Sequence, residues 1–150
     1  MADAIRNSLL INKGENAMKK LFVLFAFVAF SSAAIAGELV VVANGNVKLS
    51  SGEVADVFTG EKVAAGSVKL VPVDNKEAQA DFLSKVVKLD SGKYNAAWAK
   101  KSFQDGLTPP KVKSTDAEVI EFVKSTPGAI GYVSNGGAAS AAGLTTIGKF

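Results

Sequence analysis

The sequence predicts an α/β domain whose mostly parallel sheet is flanked by helices. Two observations predict it. Short runs of continuous apolar residues recur along the chain, and helix-start spacings fall between them. Continuous rather than alternating hydrophobicity marks a strand covered on both faces, the setting of a parallel sheet between helices. The order of strand, helix, strand, three helical or turn segments and strand then requires crossover connections. No internal repeat and no linker divides the chain beyond residue 36.

The elements follow in order. Glu38–Ala43 (ELVVVA) is the first strand, ended by Asn44-Gly45. Ser50 and Glu53 have capping-box spacing, Val54, Val57 and Phe58 follow at helical spacing, and Gly60 stops that helix. Val68–Val73 is the second strand, and Pro72, which cannot donate a ladder hydrogen bond, places it near an edge or ends it. Asp74 and Glu77 repeat the cap spacing, and Ala78, Phe82, Leu83, Val86 and Val87 mark one face of a helix over 76–88. Ser91-Gly92 breaks the chain before a second short helix with Tyr94, Ala97 and Trp98, which ends near Phe103–Gly106. Thr108-Pro109-Pro110 is a rigid connector. Thr115 and Glu118 cap a helix whose inward stripe is Val119, Phe122 and Val123, and Thr126-Pro127-Gly128 stops it. Ala129–Val133 (AIGYV) is the third strand. The small-residue stretch 135–143 is either a glycine turn entering a small helix or a mobile loop, and Leu144–Phe150 is the final strand.

The N-terminal 36 residues are not expected in the fold. Lys19 and Lys20 precede an apolar run of ten residues, Leu21–Phe30, and Ala34-Ile35-Ala36 has the small-x-small pattern of a cleavage site. This is a secretory signal over 18–36, cut after Ala36, because ten apolar residues fall short of the ~20 that cross a bilayer. A signal begins at its methionine. Residues 1–17 therefore read as an untranslated leader before Met18, the alternative being a long n-region of the signal. The mature chain over 37–150 has 114 residues, enough to bury about two-thirds of its unfolded surface without disulfides. Absence of cysteine also excludes a lipoprotein anchor, so a soluble periplasmic or secreted product of Gram-negative type is expected.

Charge and composition exclude much chemistry. The 17 basic and 14 acidic residues give +3, yet Arg6, Lys13, Lys19 and Lys20 all precede residue 37, leaving 13 against 12 beyond it. A nucleic-acid footprint is absent. With no cysteine and no histidine, thiol nucleophiles, serine triads and the usual zinc ligands are gone. No cofactor, no metal and no catalysis are expected.

Ligand chemistry belongs outside the carboxyl ends of the strands, where helix N-termini also point. Asn44 and Asn46 follow the first strand, Asp74, Asn75 and Lys76 the second, and Ser134 and Asn135 the third. These seven are the candidate ligand residues, although caps and turns use the same residue types. Asn135-Gly136-Gly137 matches neither dinucleotide nor P-loop glycine spacing. Asp74, Glu77 and Asp81 read as helix-start acids rather than a catalytic pair. Tyr94, Trp98 and Phe103 read as core rather than a sugar or base platform.

The order of pieces resembles the phosphate ABC-transporter substrate-binding proteins, and most of all their short single-domain relatives of the type 2 periplasmic binding protein fold. The most specific pieces are D-x-F-x-G at Asp56–Gly60 and TPGAIGYV at Thr126–Val133, and the likeness runs over 38–134. The resemblance implies a single lobe of a periplasmic-binding-protein-like fold, exported, that binds a small oxyanion such as phosphate for import. Two features differ. One lobe is present where full binding proteins clamp ligand between two. The family's Ser-Gly-Thr-Thr type turn is replaced by Asp74-Asn75-Lys76-Glu77-Ala78-Gln79, and the mature chain has no arginine. The resemblance therefore transfers the fold and not the family's ligand residues. The expected function is a non-catalytic binding domain for a small anion or an ABC transporter or other protein partner. The alternative is an interaction module, or a homodimer that rebuilds a cleft. If phosphate binds at the start of the 76–88 helix, Glu77→Thr should strengthen it by removing a like charge.

Overall fold

The computed structural model describes residues 38–150; the leader expected over 1–17 and the signal expected over 18–36 lie outside the described residues. A five-stranded sheet forms the centre. Its strands are β1 (Val40–Ala43), β4 (Val71–Asn75), β5 (Lys111–Lys113), β6 (Ala129–Val133) and β7 (Thr145–Lys149), and β2 (Ala64–Ala65) with β3 (Val68–Lys69) makes a separate small hairpin. The helices are α1 (Val54–Phe58), α2 (Gln79–Phe82) continued by a wider π-turn over Leu83–Val87, α3 (Ser91–Asp105), α4 (Asp116–Ser125) and α5 (Gly136–Ala141).

The sheet order is β5-β4-β6-β1-β7. β4 pairs parallel with β5 and β6, whereas β1 pairs antiparallel with β6 and β7. Four strands therefore point one way and β1 runs against them. The sheet is mostly parallel and flanked by helices, as the sequence predicts, but its first strand is not parallel to its neighbours. Covering both faces of a strand makes it apolar throughout, whatever its direction. β1 is central, and all four of its residues are buried.

Alternation along the strands divides the core into two layers. Leu39, Val41, Ala43, Ile130 and Tyr132 face Phe58, Phe82, Tyr94 and Trp98 on one side. Val40, Val42, Val73, Ala129 and Val133 face Val119 and Val123 of α4 on the other. Each fully buried valine contributes roughly 1.5–3 kcal/mol relative to exposure. Gly131 sits under α4, where an added Cβ would meet Val119 and Val73 side chains at 2.7 and 2.8 Å, so the glycine lets the helix approach the sheet.

Caps appear where local spacing places them. The Glu53 carboxylate accepts from Ser50 N–H and Oγ–H, each at 2.9 Å, ahead of α1. Thr115 Oγ1 accepts from Glu118 N–H at 3.3 Å to start α4. Asn135 Oδ1 accepts from Ala138 N–H at 3.2 Å, so the glycine stretch enters a small helix.

Four expectations are corrected. The strand expected over 68–73 is divided: 68–69 joins the hairpin, and the sheet strand runs on from Val71 through Pro72 to Asn75. It is an interior strand. Pro72 is tolerated because Val71 N–H serves the β6 side, through Gly128 O, while pairing with β5 starts only at Val73. The helix expected over 76–88 begins at Gln79, since Asn75 makes a turn of its own. β5, a three-residue Lys-Val-Lys strand, is too short to carry a period. Phe103 is 93 % exposed, because it lies five positions past Trp98 and well round the α3 surface.

Candidate functional site

The carboxyl ends of β4, β5, β6 and β7 share one edge of the sheet, and β1 enters there, with Val40 opposite Val133 and Lys149. Asp74, Asn75, Lys76, Ser134 and Asn135 are gathered at this edge. Asn44 and Asn46 are not. Because β1 runs in reverse, its carboxyl end lies beside the start of β6, with Asn44 N–H donating to Ala129 O at 2.9 Å. Asn44 Nδ2 donates to Val123 O and Lys124 O at 3.0 and 3.3 Å, and Asn46 Oδ1 accepts from Gly128 N–H at 3.1 Å. Both asparagines tie the end of α4 to the turn into β6. In that turn Gly128 holds φ +81°, and a side chain there would run into the Lys69 backbone.

At the strand ends the hydrogen-bond donors converge on a residue that sequence reasoning missed, Asp116. Its Oδ1 accepts from Asn75 Nδ2 at 2.6 Å and from Ser134 N–H at 3.2 Å. Its Oδ2 accepts from Ser134 N–H at 3.1 Å and from Ser134 Oγ–H at 2.7 Å. These are charge-assisted bonds at the start of α4, where the helix dipole also favours a carboxylate. The chain's own carboxylate thus takes up the strand-end donors of Asn75 and Ser134. No local signal marks it, since Asp116 is 41 residues from Asn75 and 18 from Ser134.

The turn after β4 is equally satisfied. Lys76 N–H donates to Lys113 O at 2.9 Å and Ala78 N–H to Asn75 O at 3.1 Å. Glu77 N–H donates to Asn75 Oδ1 at 3.1 Å, and the fully buried Asn75 also donates to Tyr132 O at 3.0 Å. The Lys76, Glu77 and Ala78 amides are thus spent inside the fold. The Lys76 and Glu77 side chains are exposed.

Asp74 faces inward. It is 2 % exposed, and its carboxylate accepts from Tyr132 Oη–H at 2.9 Å and from Tyr94 Oη–H at 3.2 Å on Oδ1 and 2.9 Å on Oδ2. No ion pair reaches it among the described residues. Burial pushes its carboxyl up to about 6, against the opposing pull of the Tyr132 and Tyr94 hydrogen bonds. Burial, and then the charge of Asp74, hold both phenols above their ordinary range. Phe82 stacks on Tyr132 at 3.9 Å and Phe58 meets Phe82 edge-on at 4.7 Å, closing the layer around the acid. Glu77 and Asp81 lie exposed, away from this layer, so the three acids form no pair. Tyr94 and Trp98 are buried core, as expected.

The architecture is that of one lobe of a periplasmic-binding-protein-like fold. PstS from Borrelia burgdorferi is a solved structure similar to this chain, with a TM-score of 0.52 at 17% identity over 73% of this chain and 46% of that one. The chain thus spans about half the length of that protein. No family model and no curated protein matches the sequence.

Proposed function

We propose that the chain is an exported, non-catalytic binding-protein lobe, related to the phosphate-binding proteins of ABC transporters, that works through a protein contact rather than by holding free phosphate at its strand ends. The observation that carries this reading is the Asp116 carboxylate seated on the donors of Asn75 and Ser134. A phosphate there would have to displace a helix-start carboxylate and meet its charge, a repulsion of about 4 kcal/mol at 4 Å and surface-like dielectric. The resemblance at Asp56–Gly60 and Thr126–Val133 and the fold likeness to PstS support the binding-protein ancestry.

Calorimetric titration with phosphate and sulfate tests it. The expected result is no heat up to about 1 mM anion, for the parent and for Glu77→Thr alike, because the amides beside Glu77 are already bonded. Saturable binding of phosphate at micromolar concentration overturns the reading. Sedimentation with and without phosphate adds a second measurement. A phosphate-promoted dimer would favour a cleft rebuilt from two copies.

One observation favours a second reading, retention of a small oxyanion. A polar cavity of about 310 Å³ at the same edge is lined by Ser134, Asn135, Ser140, Thr146 and Lys149. Glu38 also lines it and holds the Lys149 ammonium at 3.3 Å, which opposes an anion. Phosphate binding that Lys149→Gln abolishes would support this reading.

A further inference from the structure

A second cavity, of about 270 Å³, lies beside the amino ends of β4 and β5, across the sheet from the strand ends. Its walls include Val57, Leu70, Pro72, Trp98, Leu107 and Pro109, and three lysines, Lys62, Lys69 and Lys111, also line it. No acidic residue lines it. Trp98 Nε1–H is already satisfied by Phe58 O at 2.9 Å, so the indole is fixed in place with its polar atom used inside the core. The lysines differ. Lys62 is held by Glu53 at 2.9 Å, and the Lys111 ammonium stands 5.7 Å above the Phe122 ring. Lys69 is exposed and makes no ion pair among the described residues.

We propose that this cavity binds a small amphipathic carboxylate, with a one-ring or branched apolar body between Trp98 and Leu107 and its charge at the mouth by Lys69. The volume, just under the usual range of ligand pockets of about 300–1,000 Å³, suits a small ligand. Apolar walls reward burial of a hydrocarbon body. With no acid in the lining, the unpaired Lys69 ammonium selects an anion over a neutral or cationic ligand of the same shape. The proposal is independent of the strand-end site.

The experiment titrates the protein with 3-phenylpropionate and with 3-phenylpropanol, which shares the body and lacks the charge. Trp98 is the only tryptophan in the sequence, so its emission reads the cavity directly, and calorimetry gives the affinity. The expected result is a saturable emission change with the acid and roughly tenfold weaker binding of the alcohol. Lys69→Glu, and Val63→Glu at the 48 % exposed mouth position, should weaken the acid roughly tenfold and leave the alcohol unchanged. Both positions are exposed, and unchanged thermal melting of the variants confirms that the fold is intact. No saturable change up to about 10 mM acid overturns the proposal at the weakest affinity worth calling binding. Equal binding of acid and alcohol, or indifference to both charge substitutions, overturns it too. Phosphate heat without a change in Trp98 emission belongs to the strand ends and bears on the proposed function alone.

Discussion

The two faces of the sheet are packed with different chemistry by the same five strands. On one face Phe58, Phe82, Tyr94, Trp98 and Tyr132 surround a buried acid, Asp74; on the other, valines from β1, β4 and α4 meet over Gly131. The aromatic face is filled by two short pieces, α1 and the α2–π segment, together with the 15-residue α3, and their large rings bridge the gaps between these elements. The valine face is covered by one regular helix, and its residues are small because the helix lies close. Each face buries one polar side chain: Asp74 on the first, where two phenol hydroxyls reach it, and Asn75 on the second, at the strand end, where it donates to Asp116.

The contrast breaks if the faces respond alike to truncation. Phe82→Ala removes a ring stacked on Tyr132 and should cost about 3–5 kcal/mol in urea unfolding. Val119→Ala, on the other face, should cost about 2 kcal/mol. Equal losses would mean that the aromatic layer is no more tightly packed than the valine layer.

Next in size is the pH response of the aromatic face. Asp74 has its carboxyl raised from 3.8 to about 6, so the folded state holds the proton more tightly than the unfolded one. Its contribution is greatest below the unfolded value and is lost as pH rises toward 6. By linkage this amounts to about 3 kcal/mol. Asp74→Asn, which keeps an acceptor for the tyrosines, should flatten the stability profile between pH 4 and 6 measured by chemical denaturation. An unchanged slope in that variant would assign the pH response to other groups.

On the valine face, Gly131→Ala should cost about 1–3 kcal/mol by overpacking against Val73 and Val119. Adding Val119→Ala to it should recover part of the loss, and strict additivity would contradict the contact. The smallest effect is at the cap of the covering helix. Thr115→Ala should cost about 1 kcal/mol and leave the near-ultraviolet signal of the aromatic face unchanged.

The candidate site was legible in part. Asp74, Asn75, Lys76, Ser134 and Asn135 could be placed at strand ends because the apolar runs of β4 and β6 stop there. Their roles could not. Asp74 and Asn75 adjoin in sequence, yet the first faces the tyrosines and the second the Asp116 carboxylate, since side chains alternate across a strand. Asn44 and Asn46 were assigned the wrong edge because an apolar run carries no sign of direction.

What the sequence by itself determined are features set within about four residues. The Ser50–Glu53 and Thr115–Glu118 starts, the helix stripes and the three apolar strands depend on spacings that one turn or one strand imposes locally. Tertiary structure alone decided the reversal of β1, the short β5, and the convergence of Asn75 and Ser134 on Asp116. It also decided the enclosure of Asp74 by Tyr94 and Tyr132, 20 and 58 residues away. Such pairings form only when distant strands align and exclude water, and the free energy that selects them lies in contacts between segments.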